Sequence, residues 1–239
     1  MKKIYYLTVK ELNTYFDSLI GYIVISAFLG FSGFFTWLYG MDIFLVGQAS
    51  LKHFFDISYW TLFFFIPAIT MRSFSEENKT GSLEMLLTKN ITDWQVIVGK
   101  FMSCLIMIII VLLLTVPYYI TLSNIGNIDH SSTLLGYTGM IMMSAVYISV
   151  GIYISSLTNN QVIAFIVTIF TNIFFHIIFD ILSNNFQGII GEILYNMSMS
   201  THFDSISRGI IDSRDVIWFF SLILIFLSLT KQRLNNIRL

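Results

Sequence analysis

The sequence predicts an all-α integral membrane protein: six transmembrane helices, an N-terminal interfacial helix and a short cytoplasmic helix, in one transmembrane domain over residues 1–239. Three observations predict it. Apolar residues make up 56% of the chain and charged residues only 11%, against roughly a quarter charged in soluble domains. Aromatics reach 16%, with 23 Phe and 12 Tyr, and mean hydropathy is +0.77. A soluble core of this size leaves too much of the chain at the surface to hide so much apolar area. Uncharged runs long enough to cross a bilayer recur along the chain. The same figures exclude a disordered chain and a disulfide scaffold. The lone cysteine, Cys104, has no intrachain partner, and a formal net charge of −1 argues against a nucleic-acid partner.

Residues 1–17 read as an interfacial helix. Tyr5, Val9, Leu12, Phe16 and Leu19 recur at helical spacing, while Lys2, Lys3, Lys10 and Glu11 suit the headgroup layer. Glu11, Asn13 and Asp17 are costly inside lipid and also argue against a secretory leader. The spans are expected near 18–41, 55–74, 98–122, 132–156, 161–183 and 214–231. Ser131–Phe179 carries no charge but is too long for one helix; it breaks at Ser155–Gln161, where every residue but Leu157 is polar. Pro67 and Pro117 fall inside the second and third spans, where each removes a backbone donor and bends its helix. The outer segment 184–213 is half polar, and Gly188–Tyr195 within it is too short to span, which suits an element dipping into the outer leaflet.

Six spans put both termini on one side. Ten Lys and Arg then fall on that side, against Lys52, Arg208 and Arg214 on the other, so the positive-inside rule predicts cytoplasmic termini in a bacterial inner membrane. Eight of the charged residues lie in the loop 72–100. Its middle, Gly81–Leu87, is a short helix with Thr80 or Ser82 as a candidate cap. Leu83, Leu86 and Leu87 share one face and Glu84 another, and Thr88-Lys89-Asn90 ends it. Thr92-Asp93-Trp94-Gln95 fits a capping box that starts the third span, with Trp94 in the aromatic belt. So short a helix needs something to pack against. Its own bundle and a cytoplasmic partner both remain open.

These residues carry a resemblance. Pro67–Arg72, Glu76-Glu77, Gly81-Ser82-Leu83-Glu84, Leu86-Leu87-Thr88, Asp93–Val96 and Gly99-Lys100 resemble the ABC-2 family of ABC-transporter permeases. His202–Ser205, Ser207–Asp212 and Arg214–Val216 resemble the branch holding the gliding-motility permeases and the permease of nitrous-oxide reductase maturation. The resemblance implies a permease subunit of an exporter, half of a transmembrane dimer with an identical or related second permease chain. It implies a coupling helix after the second span, docked on a separate ATPase present in two copies that holds the ATP and Mg. The docking residues it implies are Glu76, Glu77, Gly81, Ser82, Leu83, Glu84, Leu86 and Leu87, with Ser155–Gln161 as a second cytoplasmic contact. The chain itself has no G-x-x-x-x-G-K-[ST] loop, so it is expected to bind no cofactor and to hydrolyse no ATP.

Two other chemistries compete. Thr168, Asn172, His176 and Asp180 recur every four residues on the fifth span. They form a polar stripe suited to lining a pathway or, through His176 and Asp180, to proton coupling in an ATP-independent transporter. Gly30-Phe31-Ser32-Gly33 fits the G-x-S-G pattern of rhomboid-type intramembrane proteases, whose serine would need His176 as its base. Small residues in a membrane helix also serve simply for close packing.

Overall fold

The computed structural model describes residues 2–38, 50–88, 91–186, 188–209 and 212–238, and no side-chain detail for Leu87 and Arg238. The expected end of the first span at residues 39–41, Asp42, Lys89, Asn90 and Ile210-Ile211 lie outside the described residues. Among the described residues there is no strand, and six helical stretches are long and apolar enough to cross a membrane: Leu19–Trp37, Lys52–Thr80, Asp93–Ile125, His130–Leu157, Gln161–Asn185 and Ser213–Ile237.

In chain order, α1 (Lys2–Asp17) bends at Ser18 into α2 (Leu19–Trp37). Next come α3 (Lys52–Thr70) and two one-turn helices, α4 (Ser75–Thr80) and α5 (Ser82–Leu87). α6 (Asp93–Leu113) and α7 (Val116–Ile125) form the third span. α8 (His130–Leu157) is the fourth. The fifth is α9 (Gln161–Ile173), a π-turn over Phe174–Ile178 and α10 (Phe179–Asn185). Two outer helices, α11 (Ile189–Met197) and α12 (Met199–Ser207), precede α13 (Ser213–Arg238).

Local chemistry explains the boundaries. Thr92 and Gln95 satisfy each other's backbone amides in a full capping box at the start of α6. Asp129 caps α8 by accepting from the Ser131 and Ser132 amides, and Asn160 caps α9 through the Val162 amide. The third span breaks after Leu113, and Pro117 sits in the first turn of α7, where a missing amide costs nothing. Thr115, at that break, donates to the Leu112 carbonyl at 2.7 Å and meets the Tyr137 hydroxyl at 2.9 Å.

α8 is the buried centre, packed by α3, α6, α9, α12 and α13. Lipid is as apolar as the side chains, so close backbone approach supplies the cohesion. Gly151 provides it: a Cβ there would lie 2.1 Å from the Thr70 hydroxyl oxygen of α3. α1 does not float free on the surface. Thr8 donates to the Gly99 carbonyl and Tyr15 is buried against α6, whereas Tyr5 and Tyr6 stay exposed. At the end of the bundle opposite the 72–100 loop α11 folds back along α10, with Gly191 against the Phe186 carbonyl. Ile189, Ile190 and Ile193 face away from the chain.

Candidate functional site

The 72–100 loop is built into the bundle. The Ser155 hydroxyl, at the end of α8, accepts from the Phe74 and Ser75 amides at 3.0 Å and donates to the Met71 carbonyl at 3.0 Å. The Asn78 amide donates to the Ser156 carbonyl at 3.2 Å and the Thr158 carbonyl at 3.4 Å. The polar break therefore receives this chain's own loop. Its hydroxyls and carbonyls satisfy the backbone where α3 ends and α4 begins.

Between the one-turn helices Gly81 adopts φ +70°, a left-handed conformation that glycine takes without steric cost. The expected cap does not form. Gly81 occupies the capping position, and the Thr80 and Ser82 hydroxyls bond each other at 2.9 Å. α5 then lies against α13. Leu83 is 2% exposed within the core, and Leu86 is half-buried against it. The face of α5 that carries Leu83 and Leu86 is thus seated on this chain's own bundle, where the resemblance implied docking residues. Ser82, Glu84 and Met85 point outward, with Met85 72% exposed. Met85 escaped the sequence argument, although a helix with Leu83 and Leu86 buried necessarily turns residues 84 and 85 away.

Glu77 is held within the chain likewise. Its carboxylate lies 2.8 Å from the Lys100 ammonium, which also lies 3.3 Å from Glu11. Lys100 is 4% exposed and sits over the Phe74 ring at 5.1 Å. One buried cation thus ties α1, α4 and α6 together. Beside it the Tyr15 hydroxyl reaches the Ile69 carbonyl at 3.4 Å and the Cys104 sulfur at 3.2 Å. Burial, with the Cys104 sulfur adding to it, holds the Tyr15 phenol well above its ordinary pKa, so it stays a donor. Lys231 of α13 approaches the Trp94 ring at 5.6 Å and closes the same end of the bundle. Glu76 remains exposed at the surface of this assembly.

The polar stripe turns inward. Thr168, Asn172 and His176 are at most 4% exposed, on the face of the fifth span that packs α3 and α8. Thr168 donates to the Ala164 carbonyl at 2.6 Å, and neither amide atom of Asn172 has a hydrogen-bond partner among the described residues. His176 sits in the π-turn, a feature that often marks functional sites. Its Nδ1 meets the Tyr59 hydroxyl and, at 3.2 Å, the Tyr147 hydroxyl. Of the stripe, His176 and Asp180 border a cavity of about 330 Å³, with Asp56, Tyr59, Trp60 and Asp204. Of the four residues expected to line a pathway, Thr168 and Asn172 are sealed within this chain, while His176 and Asp180 border the cavity. Burial raises the Asp204 carboxyl above the usual carboxylate range, opposed by Arg208 and Lys52 and reinforced by Asp180. The Ser32 hydroxyl reaches only toward the Leu29 carbonyl of its own helix, at 3.5 Å. With His176 held by tyrosines, no serine–histidine dyad forms on Gly30–Gly33 among the described residues.

A second buried charge lies between the outer helices and the last span. His202 Nδ1 and Asp215 Oδ1 are 2.6 Å apart, His202 Nε2 donates to the Asn196 carbonyl at 2.9 Å, and the ring stacks on Trp218 at 4.5 Å. This clamp holds α12 on α13. His202→Ala leaves Asp215 buried without its partner, and we expect a loss of about 3 kcal/mol in stability. Thermal unfolding of the full chain in detergent measures it, and His202→Ala with Asp215→Asn should recover part of the loss.

No curated protein matches the chain. The family described as "ABC-2 family transporter protein" matches residues 13–207. That stretch takes in the end of α1, the 72–100 loop, the inward stripe and the outer helices through α12. A bundle of six apolar spans, a polar loop bonded to the end of α8 and this match agree: the chain belongs to the ABC-2 transporter family, as a multi-pass permease subunit of an ABC transporter.

Proposed function

We propose that this chain is the membrane half of an ABC exporter in a bacterial inner membrane, with both termini and the 72–100 loop cytoplasmic. Two ATPase subunits hold the ATP and Mg, and this chain hydrolyses nothing. The observation that carries the reading is the construction of the loop. A coupling helix transmits force only if it is rigid toward the bundle and open toward the motor. Leu83, Ser155 and Lys100 supply the first condition. Glu76, Ser82, Glu84 and Met85 supply an exposed acidic and apolar face for the second. Motion of this face then passes to α3, α6 and α8 through these contacts.

A second permease chain, identical or related, completes the pathway. Supporting this, α2 exposes Phe31 and Phe34, α9 exposes Ile166 and Phe170, and α3 lies between them with Trp60 and Phe64 exposed. An apolar groove of about 410 Å³ runs between α2 and α3. Wide apolar faces of this kind suit helix–helix contact as well as lipid. Co-expression with a candidate ABC ATPase subunit from the same source, followed by purification in mild detergent, tests the assignment. A complex with equal numbers of permease and ATPase chains and substrate-stimulated ATP hydrolysis is expected. A chain that purifies alone and moves its cargo without ATP would refute it.

A further inference from the structure

The cavity that His176 and Asp180 border, of about 330 Å³, carries unmatched charge. Its carboxylates come from three elements: Asp56 of α3, Asp180 of α10 and Asp204 of α12. None of these side chains makes a hydrogen bond or ion pair among the described residues. Asp204 feels both of the others, so the group repels itself. Lys52, His53 and Arg208 act on it without coming within ion-pair distance. Lys52 and Arg208 line a neighbouring cavity, with Asp129 and the far side of Asp56. Residues 39–49, Gln187 and Ile210-Ile211, the undescribed stretches nearest in sequence, include no Lys or Arg. Much of the remaining wall is aromatic. Tyr59 and Trp60 stand at 88° with ring centroids 5.7 Å apart, and Phe203 lies 5.3 Å from Tyr59. Trp60, half-exposed, divides the cavity from the groove between α2 and α3. His176 adds one polar atom. The Tyr59 and Tyr147 hydroxyls have no partner among the described residues except its Nδ1. A buried hydroxyl that donates to nothing is costly, so Nδ1 accepts and the proton sits on Nε2. Nε2 has no hydrogen-bond partner among the described residues and is not one of the buried atoms sealed from solvent. On a buried ring that borders the cavity, it opens into that cavity.

From this lining we propose that the cavity binds a soluble organic ammonium ion that also carries an oxygen acceptor: an amino alcohol or its methylated form. Its charge relieves the three carboxylates, and the ring faces of Tyr59, Trp60 and Phe203 attract the same charge. The His176 Nε2–H donates to its oxygen. A metal ion suits the site less. It needs a close shell of ligands, and no three acidic, cysteine or histidine groups among the described residues gather tightly enough to form one. A diffuse organic cation needs no such shell. A phosphate on the same molecule would meet the same carboxylates and be repelled, which favours the free ion over a phospholipid headgroup. The volume lies at the small end of ligand cavities, ~300–1,000 Å³, as a small ion requires.

The test is calorimetric titration of the full chain in detergent. The probes are choline, its neutral isostere with carbon in place of nitrogen, tetramethylammonium and phosphocholine. Choline is expected to bind at least about tenfold tighter than the isostere, and also tighter than tetramethylammonium, which lacks the oxygen, and phosphocholine, which adds negative charge. Asp180→Asn with Asp204→Asn should weaken choline about tenfold or more with unchanged melting, because neither side chain holds a partner. Trp60→Leu should weaken it about fivefold, and stands as the test should the double variant fail to fold. Equal binding of choline and the isostere, or native binding by these variants, overturns the site. Tetramethylammonium matching choline overturns the His176 contact. Phosphocholine matching choline overturns the preference for a free ion. No ATPase is present, so a negative result leaves the exporter reading standing.

Discussion

Lys100→Met is expected to cost this protein a large part of its stability, at the end of the bundle where α1, α4 and α6 meet. The substitution keeps the volume of the stem and removes the charge. Glu11 and Glu77 then face each other, four-fifths buried, with no cation between them. Breaking a buried pair by removing one partner costs about 3–5 kcal/mol, because the orphaned charge stays desolvated. Here two carboxylates are orphaned together, so the upper part of that range is expected. The observable is loss of the main thermal transition in detergent, with α1 becoming accessible to protease first, since the cluster is its polar tie to α4. The rescue is specific: adding Glu11→Gln and Glu77→Gln to Lys100→Met removes the uncompensated charge and should return most of the stability. A Lys100→Met protein that melts like the native chain would show that the three charges do not close on one another.

Glu84→Lys with Met85→Asp produces the opposite phenotype: full stability and no motor. Both side chains are exposed, and surface substitutions away from packed features usually stay within about 0.5 kcal/mol. If the outward face of α5 seats the ATPase, reversing its charge and removing the exposed Met85 side chain should weaken binding by at least about tenfold, equivalent to ~1.4 kcal/mol. Co-purification and permease-dependent ATP hydrolysis report it. Leu83→Asp is the informative control. Leu83 is 2% exposed, so a carboxylate there is buried without a partner, and the chain should fail to fold rather than fold and lose its partner. An ATPase that binds the double variant normally would place the contact elsewhere on the loop.

The two variants mark the boundary between what was legible in the residues and what was not. The capping box at Thr92 and Gln95, the break at Ser155–Gln161 and the six apolar stretches follow from local rules: an orphan amide seeks a side-chain acceptor, and a bilayer demands uncharged length. The gathering of charge in 72–100 was equally visible. The side of α5 that faces inward was not. Periodicity groups Leu83 with Leu86 and sets Glu84 apart, but packing on a partner and packing on α13 leave the same pattern in the sequence. The cap failed for a similar reason: Gly81 in the left-handed region joins α4 to α5 so tightly that the neighbouring hydroxyls bond each other instead.

The polar stripe shows the limit most clearly. Spacing by four correctly put Thr168, Asn172 and His176 on one side of a helix. The environment of that side depends on α3 and α8, whose Tyr59 and Tyr147 lie far away in the chain. A histidine held by two tyrosines and a histidine poised beside an aspartate are indistinguishable until those helices are in place. Lys100 is the same case with larger consequences, since its partners come from the interfacial helix and from the loop. Composition and periodicity thus settled the solvent, the number of spans and the places where polar groups collect, because each of these is a property of a continuous segment. The tertiary structure alone decided which polar groups meet, because a buried charge is satisfied by neighbours in space, and those neighbours are brought from distant segments by the packing of the helices.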